Sequence, residues 1–563
     1  MRQQALISAF CITVLALICY ANTLHGPFIW DDSELIEKNA HIRQASGIPH
    51  LFSGNIGAGA GVKYRFYRPL QGLTYALDYS FWRLNPFGYH LQNIVWHIAA
   101  AFCIWYLMLL LFKDNVLSLM TAFFFVVHPV HTEAVSYISG RADPLSLTFM
   151  LLTFIYYIKS RPFLSSIFFA CALLARENAL ILPFLILLHH YTFRKKVPLF
   201  RIGALFVFAI VYVAARTTLL KALLENIIYP LDLWQRIPGF FAALFQHLSK
   251  LFVPMRLHAE YGLAPSSSIH PHVLMGASLF AIFLSCAALA RRRRGVIYFG
   301  IGWFFISLIP TSNIAYPVNA YMAEHWLYLP SIGFFLAVSQ GLRTLYCTKE
   351  RGTLAALYLA TALILSYSAL TIRHNPYWTD PATFYARTLQ YAPQSARAHI
   401  NYGIFLEESG RLADAISIFK KALAIDPKNP EIYNNLGIAY AKLSDYTKAM
   451  ACYRKALTLR PAYANASYNL GTAYADLRQY DAAISAYQDA ARARPFDERT
   501  YTNLGSVYWT IGKKDEAIDA FKKAISINPH HPNAYYNLGV AYRARGDEKK
   551  ANEYHEKARS LER

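Results

Sequence analysis

Charged residues are scarce in this sequence, and the scarcity is uneven along the chain. Only 16% of the 563 residues are Asp, Glu, Lys or Arg, whereas soluble domains carry roughly a quarter. Before about residue 374 the chain consists of long runs rich in Phe, Leu, Ile, Tyr and Ala, and after it the chain is polar. A wholly soluble protein is therefore excluded, and a membrane part followed by a soluble part is predicted.

Cysteine is scarce as well, and acidic residues are outnumbered by basic ones. The seven cysteines form no Cys-x-x-Cys pair and five of them lie in apolar segments, so neither a disulfide framework nor a zinc site is predicted. The net charge is +21, but the basic residues of a membrane protein usually follow the positive-inside bias. Nucleic acid is therefore not the expected partner.

The apolar runs predict eleven membrane spans, the first being an uncleaved signal anchor, since "CYANT" offers only a weak cleavage site. A cleaved signal peptide is the alternative. The basic stretches alternate sides correctly only if a twelfth apolar stretch, 238–254, is re-entrant or interfacial. The N-terminus is then cytoplasmic, and loop 23–88 and the C-terminal part are extracytoplasmic. The expected spans are 5–22, 89–112, 115–129, 143–158, 163–175, 178–193, 199–217, 272–290, 296–311, 326–342 and 353–372.

A repeat of 34 residues fills the polar C-terminal part. Glycines recur at this spacing from Gly403 to Gly539, and prolines recur from Pro427 to Pro529. This is the tetratricopeptide pattern, in which each repeat is two antiparallel helices. We therefore predict a membrane domain at 1–373, a coupling half-repeat at 374–395, and five repeats at 396–429, 430–463, 464–497, 498–531 and 532–563.

The repeat array has two interpretations. Such arrays form a superhelix whose concave groove binds extended peptide, but they also serve as spacers without a ligand of their own. Asparagines near the inner face could hydrogen-bond a peptide backbone, although they are common in repeats of this type. The candidate groove residues are Asn401, Asn435, Asn469 and Asn503.

Two adjacent carboxylates, Asp31 and Asp32 in "FIWDDSELIEKN", stand at the expected membrane surface. Helix capping explains one aspartate well and two poorly. The alternative is a general base or acceptor-orienting carboxylate in a cavity that faces outward.

Other ionisable residues gather at the expected outward ends of the spans, where their cost argues for a site. Arginines near carboxylates and histidines suit a phosphate-bearing ligand at the lipid boundary. The candidate binding residues are Arg65, Arg68, His97, His131, Glu133, Arg141, Asp143, Arg176, Glu177 and Glu324. Simpler interpretations stay open: "HPVHTE" as a metal site, Arg176 and Glu177 as a plain ion pair, and His97 as a packing residue.

The ordered motifs "WDD", "YRPLQGLTYALDY", "NPFGYHLQNIVWH", "VHPVHTEAVSYISGRAD", "RENALILP" and "AEHWLYLPS", followed by the repeats, resemble the transmembrane and tetratricopeptide repeat-containing proteins. That family consists of O-mannosyltransferases of the GT-C fold, with bacterial relatives. The resemblance implies an all-α, polytopic GT-C-type domain of about eleven transmembrane helices followed by an α-solenoid. Arg176 and His325 depart from the family pattern, in which Lys and Arg are common at these positions.

The resemblance further implies a polyprenyl- or dolichyl-phosphate sugar donor, with mannose the favoured sugar, and Ser or Thr of a protein acceptor on the extracytoplasmic side. It places the acidic motif of the first loop at Asp31 and Asp32, with Asp31 as base and a single inverting displacement. No cofactor is required, since arginines can neutralise the phosphate, and a divalent metal is an option that is not predicted. A bacterial inner membrane with periplasmic repeats is favoured over the endoplasmic reticulum. The alternative is a non-enzymatic membrane scaffold for envelope assembly or secretion.

Overall fold

The computed structural model describes residues 2–562 except 61, 63, 65, 220–231, 262–269, 291–294, 316, 317, 319, 321 and 349. Within these residues every regular element is helical and there is no strand, so the all-α prediction is confirmed. The chain divides into two compact units, Met1–Ala392 and Pro393–Arg563. We call them the membrane unit and the repeat unit and describe each by itself.

The membrane unit contains sixteen α-helices in the described part of the chain, joined by short 3₁₀ and π turns. In chain order they are α1 (Arg2–Tyr20), α2 (Ile48–Ser53), α3 (Pro69–Trp82), α4 (Pro86–Phe112), α5 (Asn115–Val127), α6 (Thr132–Val135), α7 (Ala142–Ile158), α8 (Pro162–Ala175), α9 (Leu182–Thr192), α10 (Leu199–Leu219), α11 (Leu233–Phe252), α12 (Pro271–Ala290), α13 (Val296–Leu308), α14 (Ser331–Tyr346), α15 (Glu350–His374) and α16 (Pro381–Tyr391).

Fewer helices than expected have the length and apolarity of a membrane span. Five pass this test among the described residues, and a sixth is added if α5 and the bent segment after it, at 57°, form one span. Each of the eleven expected stretches coincides with a helix, but several are short, so the expected number of eleven crossings is not confirmed. The five are Gln3–Thr23, Pro86–Phe112, Leu199–Leu219, Pro271–Leu289 and Glu350–Trp378.

Several helices end at the same side of the bundle, which we call the loop side because the first loop begins there. The Asn22 side-chain amide, just after α1, donates to the carbonyl of Ile372 near the end of α15 at 2.9 Å. The Thr371 hydroxyl donates to the carbonyl of Val127, the last residue of α5, at 2.7 Å. The chain therefore leaves α1 and α15 on one side, so loop 23–88 and the segment that leads to the repeats share that side.

Helix α11 covers the predicted interfacial stretch 238–254 and lies across the bundle. Near its start, Arg236 donates to the carbonyl of Asn313 at 2.5 Å, just beyond α13. At its end, the carbonyl of Leu251 contacts His128 Nε2 at 3.1 Å, directly after α5, and the carbonyl of Phe252 accepts from Tyr367 of α15 at 3.3 Å. Helix α11 contacts the exit ends of α13, α5 and α15, and it is absent from the described helices that could span a membrane. This arrangement favours the interfacial interpretation.

The repeat unit consists of ten helices in five antiparallel pairs, and the predicted tetratricopeptide architecture is confirmed. In each pair the glycine of the first helix faces a ring sixteen residues later. A Cβ on Gly471, for example, would lie 2.8 Å from the ring of Tyr487, so only glycine permits this close approach. The helices are α17 (Ala396–Glu408), α18 (Leu412–Ile425), α19 (Pro430–Lys442), α20 (Tyr446–Leu459), α21 (Ala464–Asp476), α22 (Tyr480–Ala493), α23 (Glu498–Thr510), α24 (Lys514–Ile527), α25 (Pro532–Arg543) and α26 (Glu548–Glu562).

Candidate functional site

The two adjacent aspartates lie in different environments. Asp32 is fully buried. One carboxylate oxygen accepts the Ile29 N–H at 3.1 Å, and the other accepts the Ser139 N–H at 2.9 Å and the Ser139 hydroxyl. Burial raises the pKa of Asp32 to about 7, although these hydrogen bonds favour the ionised form and oppose the increase. Asp32 does not cap the short helical turn after it. It joins the first loop to the turn that precedes α7.

Asp31, in contrast, is partly exposed. Its backbone N–H donates to the Tyr137 hydroxyl at 3.1 Å, and the Tyr64 hydroxyl lies 3.4 Å from its Oδ1. Two tyrosine hydroxyls from other parts of the chain therefore contact Asp31, one at its backbone and one at its carboxylate. Because Asp31 is partly exposed whereas Asp32 is fully buried, Asp31 suits an acid–base group better than Asp32 does.

A second group of charges lies at the loop-side ends of α7 and α8. Arg68 donates from Nε and Nη2 to the Glu177 carboxylate at 3.2 and 2.8 Å, and Arg176 donates to Asp143. The interpretation of Arg176 and Glu177 as a mutual ion pair is therefore wrong, because each has a different partner. Although burial opposes it, Arg68 holds the pKa of Glu177 well below its usual range.

One guanidinium N–H in this group has no acceptor. Arg176 Nε is buried and bonds to none of the described residues. Leaving a buried donor on a charged group unpaired costs about 1–3 kcal/mol or more. An acceptor oxygen of a ligand would satisfy this N–H.

The aspartate pair and the charge group are linked by two short segments, one from Tyr64 to Arg68 and the other from Ser139 to Asp143. Tyr64 contacts Asp31 and Arg68 contacts Glu177, while Ser139 holds Asp32 and Asp143 holds Arg176. Within each segment the two residues are four positions apart, so their Cα atoms are separated by no more than about 14 Å. The two groups therefore lie close enough for one extended ligand to contact both.

Two glutamates lie next to this site. The Glu133 carboxylate contacts His325 Nδ1 at 2.6 Å and accepts the His325 N–H at 2.9 Å. Glu324 is fully buried, and its Oε1 accepts the N–H of His258 and the hydroxyl of Tyr261, both at 2.5 Å. Its Oε2 has no partner in the described part of the chain. Burial, aided by the Glu133 charge, raises the pKa of Glu324 to about 8.

Arg141 is fully buried and already has protein acceptors. It donates to Asp78 at 2.5 Å, to Asn93 and Gln92 at 2.7 Å each, and to the carbonyl of Tyr89 at 2.8 Å. These hydrogen bonds connect the turn before α7, which contains Arg141, to α3 and α4. Its predicted contact with a donor phosphate remains a prediction, and its position favours a supporting role.

The candidate histidines are packed among aromatic rings near the end of α5, His97 from within α4 and His131 from the turn after α5. The nitrogens of His97 contact the Tyr328 hydroxyl at 2.6 Å and a carbonyl of α5 at 3.3 Å. Those of His131 contact the Ser331 hydroxyl at 3.0 Å and another carbonyl of α5 at 2.8 Å. In the described residues no group of three His, Cys, Asp or Glu side chains could hold a metal ion.

Arg65 and the arginines at 291–294 lie outside the described residues. The candidates that sequence reasoning missed are Tyr64, Tyr137 and Ser139. Tyr137 and Ser139 belong to the motif "SYISGRAD", which was noted for its charged residues alone. In a single sequence these two tyrosines cannot be distinguished from ordinary core residues, so no sequence signal identified them.

The repeat asparagines bond mainly within the array. Asn469 Nδ2 donates to Asn434 of the preceding repeat at 2.9 Å, and Asn503 Nδ2 donates to the Tyr468 hydroxyl at 2.9 Å. Asn435 Nδ2 is buried and has no partner among the described residues. A role of Asn401, Asn435, Asn469 and Asn503 in peptide binding remains a prediction.

Comparison with known proteins gives matches to both units. Sequence models of the tetratricopeptide repeat match residues 406–444, 430–463, 463–530 and 499–562. The crystal structure of MamA covers 28% of this chain and 94% of its own, with 34% identity and a TM-score of 0.27.

Three curated relatives extend over most of the chain. Protein O-mannosyl-transferase F38B6.6 of Caenorhabditis elegans is 28% identical over 74% of this chain and 62% of its own length. Human protein O-mannosyl-transferase TMTC1 is 25% identical over 71% of this chain and 53% of its own, and mouse TMTC3 is 26% identical over 72% and 50%. The chain thus spans between half and about three-fifths of the relatives it matches. The resemblance seen in the motifs is confirmed: the curated homologues of this membrane protein are protein O-mannosyl-transferases of the TMTC family.

Proposed function

We propose that this protein is an integral membrane glycosyltransferase of the GT-C type. It transfers mannose from a polyprenyl- or dolichyl-phosphate donor to Ser or Thr of a protein on the loop side of the membrane. The observation that carries the proposal is the partly exposed Asp31 next to an arginine group with an unsatisfied buried N–H. The printed activity of the relatives supports the same class of reaction.

In this reaction Asp31 accepts the proton of the acceptor hydroxyl, whose oxygen attacks the anomeric carbon of the sugar. The bond between that carbon and the phosphate oxygen breaks, and the lipid phosphate leaves with the electron pair. Attack from the opposite face inverts the anomeric configuration. The base lowers the barrier by removing the proton as the new bond forms.

The leaving phosphate is held by the charge group. Arg176 donates its unsatisfied Nε–H to a phosphate oxygen, and Arg68 adds positive charge beside it. Glu324, whose Oε2 is buried and has no partner among the described residues, is a further candidate contact of the donor. Asp32 and Arg141 hold the loops that carry these residues.

The repeat unit recruits the acceptor protein or a partner. Because the chain leaves α15 on the loop side, the segment toward the repeats starts on the side where Asp31 lies. In a bacterium this side is the periplasm of the inner membrane, and in a eukaryote it is the lumen of the endoplasmic reticulum.

The test is a transfer assay with the purified protein in vesicles, radiolabelled polyprenyl-phosphate-mannose and a pool of Ser/Thr-rich peptides. We expect label in peptide, and a loss of a hundredfold or more in Asp31→Asn. Glu34→Gln is the matched control, because Glu34 is a surface carboxylate of the same loop that pairs with Lys38.

Loss in Asp32→Asn alone would exchange the roles of the two aspartates. If wild-type protein transferred no sugar, even in membranes that supply native lipid donors, the proposal would be overturned. A non-enzymatic scaffold of the envelope or secretion machinery would then replace it.

A further inference from the structure

Four aromatic side chains form a closed ring of contacts next to Asp31. Trp30 lies 6.1 Å from Tyr137, Tyr137 lies 5.4 Å from Trp378, Trp378 lies 5.3 Å from Phe384, and Phe384 lies 5.4 Å from Trp30, measured between ring centroids. Trp378 and Phe384 are almost completely buried. The first loop, the turn before α7 and the segment at α16 therefore meet in one cluster, which we call the aromatic ring cluster.

The backbone at this cluster is strained directly before the candidate base. Trp30 has φ of +51°, a left-handed conformation that bulky residues rarely adopt and that costs about 1–3 kcal/mol. Contacts with Tyr137 and Phe384 hold the ring of the same residue. The Tyr137 hydroxyl also accepts the N–H of Asp31, so the cluster contacts both the residue before the carboxylate and the backbone of Asp31.

The segment from α15 to α16 is fastened to the first loop by further contacts. The Asn375 side chain donates to the carbonyl of Cys19 at 2.7 Å and to Asn22 at 2.6 Å, and it accepts from Ser136 at 2.8 Å. Gly26 lies so close to this segment that a Cβ there would come within 2.6 Å of Thr379. A segment packed this closely cannot shift without moving the loop that carries Asp31.

We propose that α16, through the aromatic ring cluster, is the positioning element of Asp31. This inference rests on the proposed function. Phe384, which packs against Trp378, holds Trp30 in its strained conformation. The Tyr137 hydroxyl accepts the amide N–H of Asp31, so that the carboxylate faces the acceptor hydroxyl. Positioning of this kind affects the reaction rate, because a displacement of the catalytic group by about 1 Å can lower that rate a hundredfold. Helix α16 is also the last helix before Pro393, where the repeat unit begins.

The test uses the full chain in vesicles and two measurements. Hydrogen exchange of the peptide that covers residues 28–36 reports the loop without any need for activity, and steady-state kinetics give kcat and KM for the lipid donor. The variants are Phe384→Ala, which opens the cluster, Tyr137→Phe, which keeps the ring but removes the hydroxyl, and Phe384→Leu, which keeps most of the apolar volume. Tyr391→Ala truncates another aromatic residue of α16 and is the control.

We expect Phe384→Ala to speed exchange of residues 28–36 and to lower kcat, each by at least tenfold, with KM for the donor within twofold. Tyr137→Phe should lower kcat about tenfold and speed exchange at the Asp31 amide alone. Phe384→Leu should restore most of the protection and rate, and Tyr391→Ala should leave exchange of residues 28–36 unchanged.

Unchanged exchange in Phe384→Ala would overturn the positioning role whatever the activity. Faster exchange with unchanged kcat would also overturn it, since the cluster would then be only structural. A wild-type protein without transfer activity would overturn the proposed function and with it any catalytic role of the cluster, while exchange would still decide whether α16 holds the loop.

Discussion

Charged side chains serve the two units of the chain in different ways. In the membrane unit several ion pairs join distant segments: Arg141 and Asp78, which are both buried, are 63 positions apart, and Arg68 and Glu177, which are partly buried, are 109 apart. In the repeat unit many pairs are three positions apart and exposed, as between Arg411 and Asp414. Buried pairs select one tertiary arrangement, because a wrong partner would leave a charge without compensation. Exposed pairs contribute little to either stability or arrangement.

Close packing also differs between the units. In the repeat unit one contact recurs, a glycine facing a ring sixteen residues later, from Gly403 with Phe419 to Gly505 with Phe521. In the membrane unit each close approach is unique, such as Gly300 against Gly333. The repeat unit is therefore stabilised by the same local contact in successive repeats, whereas the membrane unit is stabilised by many different long-range contacts.

The largest effect should come from breaking a buried pair. Arg141→Met leaves Asp78 buried without its cation, and we expect the protein to lose about 3–5 kcal/mol of stability. Arg411→Met, which breaks the exposed pair in the repeat unit, should cost less than about 0.5 kcal/mol. Thermal unfolding of the purified protein in detergent measures both. Equal losses would contradict the difference between the two units.

A smaller effect should follow from filling a glycine contact in the repeats. Gly471→Val pushes a side chain into the ring of Tyr487, and we expect a loss of about 1–3 kcal/mol in the repeat unit. The double variant Gly471→Val with Tyr487→Leu should be less destabilised than the sum of its single changes, since the smaller side chain makes room. Additive losses would show that the glycine contact does not limit packing.

A smaller effect than that of filling the glycine contact should follow from the loss of one hydrogen bond between repeats. Asn469→Ala removes the bond to Asn434 at 2.9 Å, and we expect a loss of about 1 kcal/mol. If Asn469 serves peptide binding alone, unfolding would be unchanged while affinity for the acceptor peptide fell. Unfolding and peptide titration of the same variant separate these two roles.

Much of the fold follows from patterns along the chain. The 34-residue spacing from Gly403 to Gly539 predicts the five helix pairs, because each repeat makes the same contacts with its neighbour. The apolar runs predict the helices of the membrane unit, although not how many of them are long enough to span a membrane. Helix α5 ends at Val127, and Pro129 begins the turn that follows it.

The site was predictable only in part. Charged residues in apolar surroundings are costly, so Asp31, Glu133 and Arg176 were conspicuous in the sequence. Their partners were not, because a pair such as Arg176 and Asp143 depends on how α7 and α8 meet. Tyr137 and Phe384 were missed because aromatic residues are common throughout the chain, and nothing in one sequence marks those that contact Asp31.

The sequence by itself determined the helical repeat array, the apolar helices and the presence of an acidic pair at the start of the first loop. These features depend on local periodicity and composition, so they require no contact with residues elsewhere in the chain. Only the tertiary structure decided that Asp32 is buried while Asp31 is partly exposed, and that α16 packs against the loop that carries both aspartates. Those differences arise from contacts between residues a hundred or more positions apart, such as Asp32 with Ser139 and Trp30 with Phe384.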